Sequence, residues 1–132
     1  MRKELSDYLI KKYPKIYTGC EENRPFALFG FECDDGWYNI LDTLCRQIQH
    51  HIDFNKRRKE VGVDLEDIPQ VVAEQVKEKF GSLRFYYYGG DEYISGLVSM
   101  AEAMSTCTCM TCGKPGTMIK DGWWHVACGE HN

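Results

Sequence analysis

Apolar positions along this chain alternate between two periods, and the changes of period mark out its elements. From Lys3 to Tyr13 the positions Leu5, Tyr8, Leu9 and Lys12 fall at helical spacing, and Pro14 stops the run because its ring clashes with the preceding turn. Pro25 to Cys33, PFALFGFEC, is a compact apolar stretch between turn residues, which predicts a buried strand ended by Asp34-Asp35-Gly36. From Trp37 the pattern changes: Trp37, Ile40, Leu41, Leu44, Cys45, Ile48 and Ile52 recur every three or four residues, the signature of an amphipathic helix. NKRRKEVGVDLEDIP then reads as a long polar connection, a length that suggests mobility or function. In VVAEQVKEKFGSLRFYYYGG the second half, Leu83 to Tyr88, has strand composition and is closed by two glycines. The first half fits either helix or strand; a strand turning near Phe80 and Gly81 makes the pair a hairpin. A last helix is predicted over DEYISGLVSMAEAMS, with Ile94, Leu97, Val98, Ala101 and Met104 on one face and Asp91 and Glu92 at its dipole-favoured start.

These elements describe an α+β protein: a small antiparallel sheet, about three helices, and whatever the last quarter adds. The chain has 132 residues, enough for a single core. The expected organisation is a body over residues 1–106 and a module over 107–132 packed on it as one compact unit. Eight tyrosines among 13% aromatic residues are many for this size, so some must pack or bind. A net charge of −4 argues against a uniformly basic nucleic-acid surface and makes binding to free DNA weak or absent. No apolar run is long enough to span a membrane and the start is too charged for a signal peptide, so a cytoplasmic protein is expected.

Cysteine changes the picture at the end of the chain. Of seven, four lie in the last quarter, an odd total that points to metal rather than to a disulfide framework. Cys20, Cys33 and Cys45 are scattered and read as small buried hydrophobes. Cys109 and Cys112 form C-x-x-C followed by Gly113, a spacing that lets two thiolates converge on one ion over a tight turn. Cys128 and His131 form C-x-x-H. Between the pairs, Asp121-Gly122 amid apolar residues is the signal of a two-residue hairpin that would fold the second pair over the first. The expected cofactor is one structural Zn²⁺ per chain, held in a zinc-knuckle or zinc-ribbon-like hairpin by Cys109, Cys112, Cys128 and His131, with no coordination position left for catalysis. Cys107 and His125 are the alternative ligands, although strand alternation turns His125 away from Cys128.

Residues 35–131 resemble a family of small phage and prophage proteins with a C-terminal zinc knuckle. The resemblance is carried by K-F-G-x-L-R-F-Y at Lys79 to Tyr86, A-E-x-x-S at Ala101 to Ser105, C-x-x-C-G-x-P-G at Cys109 to Gly116, a tryptophan at 123 or 124, and C-x-x-H at Cys128 to His131. Some small phage zinc proteins of this kind are anti-CRISPR inhibitors. The resemblance therefore implies a phage-encoded anti-defence protein that binds a host type II CRISPR effector nuclease with its guide RNA and hinders DNA loading or cleavage without chemistry. Cys107 and the NKRRK segment have no counterpart in the pattern.

The residues themselves weigh the rival functions as follows. An enzyme would have to use His50, His51 and Asp53, or Glu102; adjacent helical histidines point about 100° apart, and no nucleophile, phosphate loop or acid pair appears, so no enzyme is expected. A nucleic-acid-binding phage protein, the second reading, would use Lys56, Arg57, Arg58 and Lys59 with the tyrosines, yet Glu60, Asp64, Glu66 and Asp67 follow at once. A binding module needs only exposed acidic and aromatic surface. DDGWY, VDLEDI and GGDEY offer it, with Asp34, Asp35, Glu66, Asp67, Asp91 and Glu92 as candidate partner-binding residues for a basic effector surface.

Overall fold

A computed structural model describes residues 1–18 and 23–132. Its elements are α1 (Lys3–Lys12), α2 (Pro14–Tyr17), α3 (Pro25–Phe29), β1 (Phe31–Glu32), a 3₁₀ turn (Asp35–Trp37), α4 (Tyr38–Glu60), β2 (Val72–Lys79), β3 (Ser82–Tyr88), α5 (Glu92–Ser105), β4 (Thr117–Ile119) and β5 (His125–Ala127). The fold is α+β, as expected, with a three-stranded sheet in the order β1-β2-β3 and a separate β4-β5 hairpin. Among the described residues no helix is long and apolar enough to cross a membrane.

The apolar stripe of α4 organises the core. Leu41, Leu44, Cys45, Ile48 and Ile52 are buried in one cluster with Val71 just before β2, with Val76, Leu83 and Phe85 from the sheet, and with Ile94, Val98 and Ala101 from α5. Cys33 and Cys45 are buried in that cluster, and loss of solvent pushes both thiols up to about 12, so they behave as the small hydrophobes expected. Cys20 lies outside the described residues. The outer edge of β3 is closed by α5, because the Leu83 N–H donates to Ser105 Oγ (2.9 Å) and the Phe85 N–H to Glu102 Oε2 (2.9 Å). Two side chains thus satisfy an edge that would otherwise template further pairing.

Three expectations need correction. Pro25 to Cys33 is not a strand: Pro25 opens the one-turn helix α3 at a position where its missing N–H costs nothing, and Gly30, at φ +62°, turns the chain into β1. Ala27, Leu28 and Phe29 are exposed, so apolar composition without a period misled. The sheet is mixed rather than antiparallel, since β1 pairs parallel to β2 while β2 pairs antiparallel to β3. A parallel pair requires a crossover, and α4 supplies it. Finally, NKRRK is helix, not loop: Lys56 to Lys59 form the last turn of α4, where cations complement the dipole, and Gly62 at φ +93° follows the C-cap.

The remaining connection, 61–71, is tied to α4. Asn55 Nδ2 donates to the Glu66 carbonyl (3.0 Å), Lys59 pairs with Asp67, and the amides of Gln49 and Gln70 bond reciprocally. The β2-β3 turn falls on Phe80 and Gly81, both at positive φ (53° and 79°), which suits the right-handed twist of the strands it joins.

Candidate metal centre

The centre begins where α5 ends. Thr108 bridges to Pro115 across a tight loop, with the Cys109 N–H donating to the Lys114 carbonyl (2.7 Å) and the Gly113 N–H to that of Cys109 (2.9 Å). Gly113 sits at φ +80°, a conformation that a side chain would strain. Cys109 and Cys112 therefore project from one turn. β4 and β5 then pair in the register Thr117↔Ala127, Met118↔Val126 and Ile119↔His125, and Cys128 follows directly. Their connection is five residues, 120–124, not the two expected from Asp121-Gly122, although Gly122 does take φ +74°. The turn closing the second pair is short, with the His131 N–H donating to the Cys128 carbonyl (3.2 Å).

These turns bring Cys109, Cys112, Cys128 and His131 together, with all four donor atoms within 4.8 Å of one another, close enough to hold a metal ion. Cys112 Sγ is 3.7 Å from Cys128 Sγ, Cys109 Sγ is 3.8 Å from His131 Nδ1, and Cys128 Sγ is 3.2 Å from the same nitrogen. A disulfide needs about 2.05 Å, so the six described cysteines are free. Two of the three sulfurs are shifted toward the thiolate form that ligates a cation. Burial would raise the Cys109 thiol, but the backbone N–H groups of Cys112, Cys128 and Thr111 outweigh it and bring it to about 6. The His131 ring holds the Cys128 thiol below its usual value, and that sulfur in turn raises His131. Cys112 is raised: the Lys114 N–H favours its thiolate, but desolvation and the two neighbouring sulfurs prevail.

Neither alternative ligand joins this group. The Cys107 thiol is exposed and donates to the Met104 carbonyl, while His125 Nδ1 donates to the Trp123 carbonyl (2.8 Å).

The seat of the module was not foreseen. Gly36 presses on the inner turn so closely that a Cβ there would lie 2.5 Å from the Met110 carbonyl carbon, and its N–H donates to the Met110 carbonyl (2.9 Å). Trp37, 0% exposed, sends its indole N–H to the Thr108 carbonyl (3.1 Å). Met110 belongs to the body's core cluster, and its own N–H reaches the Val126 carbonyl. One wall of the metal turn is therefore part of the core.

The candidate partner-binding residues are less alike than their charges suggest. Asp35 pairs with Arg2 (2.9 Å), Asp67 with Lys59, and Asp91 with His51 (2.8 Å) while capping α5 through the Ile94 N–H (3.0 Å). Asp34, Glu66 and Glu92 are exposed and have no ion pair among the described residues. The groups considered for catalysis are also dispersed. His50 stacks on Phe54, His51 stacks on Tyr93 and bonds Asp91, and Glu102 is occupied by β3. Arg57 and Arg58 lie over the Phe54 ring. Compared with known proteins, the chain matches no family model, no curated protein and no solved structure.

Proposed function

We propose that the protein is a zinc-organised binding protein without catalytic activity, a phage-encoded anti-defence factor of the anti-CRISPR kind that acts in the bacterial cytoplasm. The observation that carries the reading is the closed donor set: three sulfurs and one imidazole converge, and a fourth protein ligand leaves no position for substrate or water. Zinc suits the spacing. Bonds of about 2.3 Å to sulfur and about 2.0 Å to nitrogen give tetrahedral edges of about 3.8 Å between sulfurs and about 3.5 Å between sulfur and nitrogen. The distances of 3.7, 3.8 and 3.2 Å lie close to those edges before any ion draws the ligands in.

With the metal engaged in structure and the histidines and Glu102 engaged in packing, binding is the activity this surface supports. The proposed target is the guide-loaded effector of a type II CRISPR system, whose basic nucleic-acid channel would attract an acidic protein. Of the six candidate acids, Asp34, Glu66 and Glu92 are free to meet it; Asp35 and Asp67 already pair with Arg2 and Lys59, and Asp91 is held by His51 and the Ile94 N–H. Increasing amounts of the protein added to a guide-loaded nuclease should abolish target DNA binding or cleavage at a stoichiometric endpoint. Lysine at positions 34, 66 and 92 should slow association most at low salt. Turnover at sub-stoichiometric amounts, or no effect on any effector, would overturn the proposal.

A further inference from the structure

The tips of the two hairpins meet, and between them lies a groove of about 810 Å³ lined by Glu78, Phe80, Arg84, Gly122, Trp123 and Trp124. Gly81, at φ +79°, stands directly against the thioether end of Met118 of β4. Three large aromatic rings are displayed around the groove rather than buried: Phe80 is 66% exposed, Trp123 65% and Trp124 40%. They are held in place. His125 stacks on Trp123 at 5.0 Å and 9° between planes and hydrogen-bonds its carbonyl, so one face of that indole is covered and the other is open. Phe80 meets Trp124 edge to face at 6.3 Å. Phe80 itself is fixed in the left-handed region at φ 53°, where a bulky residue is rare, and the strained turn presents its ring outward.

Cations surround these rings. Lys120 Nζ lies 4.7 Å from the centre of the Trp124 ring and Lys79 Nζ 5.9 Å from that of Phe80. Arg84 lines the groove with a buried Nε that has no hydrogen-bond partner, and its register partner across the sheet is Lys77, a like charge. None of Lys77, Lys79, Arg84 and Lys120 has an ion pair among the described residues. The nearby acids are Glu78, with one oxygen engaged by the Gly81 N–H, Asp121, and Glu32 and Asp34, which line an adjoining cleft with Glu78 and Trp123; Glu32 is also the register partner of Lys77 on β1. Lys79, Arg84 and Lys120, none of them held in an ion pair among the described residues, thus stand next to the rings, and the open face of Trp123 lies beside them.

We propose that this groove binds a short single strand of nucleic acid, with bases stacked on Trp123 and its neighbours and phosphates set against Lys79, Arg84 and Lys120. Free ring faces accept any base, and the cations follow the backbone; neither contact reads the 2′-hydroxyl, so DNA and RNA strands are both accepted. Cations set against the rings favour this occupant over a proline-rich peptide, which would use the aromatic faces but has no charge for them to meet. The proposal goes beyond the reading as an effector inhibitor and stands without it.

The test is fluorescence anisotropy of end-labelled DNA and RNA strands of about eight nucleotides titrated with the zinc-loaded full chain, against a blunt duplex and a proline-rich peptide. Dissociation constants of the order of 10 µM at low salt are expected, given the opposing net charge. DNA and RNA should agree within a few-fold, and the duplex should bind at least about tenfold more weakly. Trp123→Ala should weaken strand binding about tenfold. Lys120→Glu should reduce the slope of log K against log salt by about 0.7, the loss of one phosphate contact. Both positions are exposed, and unchanged metal content and circular dichroism would show the variants folded. Absence of strand binding, equal binding to the duplex, indifference to both substitutions, a loss that follows Arg57→Glu with Arg58→Glu instead, or peptide binding in place of the strand would each overturn the proposal.

Discussion

Replacing Gly36 with alanine adds one methyl group at the point where the metal turn rests on the body. The new Cβ would stand 2.5 Å from the Met110 carbonyl carbon and 2.6 Å from its oxygen, about 1 Å inside ordinary contact, and both are backbone atoms that cannot swing aside. Overpacking of this kind costs about 1–3 kcal/mol. If the turn retreats, the Gly36-to-Met110 and Trp37-to-Thr108 hydrogen bonds are lost as well, at about 1 kcal/mol each. The expected loss is therefore roughly 3 kcal/mol, or about 12 °C in Tm at about 4 °C per kcal/mol for a chain of this length. The opposite sign is a real alternative. Gly36 sits in a 3₁₀ turn at an ordinary φ, and where nothing obstructs the methyl, Gly→Ala stabilises by about 0.4–1 kcal/mol through the unfolded chain. Urea unfolding of the zinc-loaded protein, with metal affinity measured by chelator competition, separates the two. An unchanged or raised midpoint with unaltered affinity would refute the claim that Gly36 seats the module.

Chelation should abolish the near-ultraviolet signal of the terminal module while most of the helical circular dichroism persists, because α4 and α5 keep their mutual packing; complete loss of helical signal would make module and body one cooperative unit. Asp91→Ala should cost about 1 kcal/mol by uncapping α5, with a further small loss from the His51 contact, so weakened partner binding by this variant should track its stability. Burial would raise the Asp42 carboxyl, but the Tyr13 hydroxyl and Lys12 hold it below its usual value. Its folded pKa is thus depressed: the stabilisation is fully present above the unfolded value and is lost as pH falls through the folded one. Tyr13→Phe should reduce that acid-side loss, which urea midpoints measured between pH 7 and pH 3, taken at about one-unit steps, would reveal.

The pattern of residues made some of this legible and hid the rest for identifiable reasons. α4 and α5 followed from three-and-four spacing because each buries one continuous face, and the β2-β3 turn followed from Gly81 closing a run of strand formers. The converging ligands were legible because C-x-x-C and C-x-x-H are local spacings set by tight turns. NKRRK was misread because charge was taken for loop, although Lys, Arg and Glu are good helix formers and Asn55 and Lys59 point at partners in the following connection. The contact of Trp37 with Thr108 spans 71 residues, so no local pattern announces it. The same holds for the groove, whose rings come from turns at 80 and 123–124 that only the fold brings together.

The proposed function depends first on a single ion in a closed sulfur-rich site. X-ray absorption at the zinc edge, on protein whose metal content has been counted, measures it most directly. One zinc per chain is expected, with three sulfurs at about 2.3 Å and one nitrogen at about 2.0 Å, and Cys109→Ser should lose one sulfur from that shell. Protein that carries no metal, or a shell of light atoms with an exchangeable water, would contradict it.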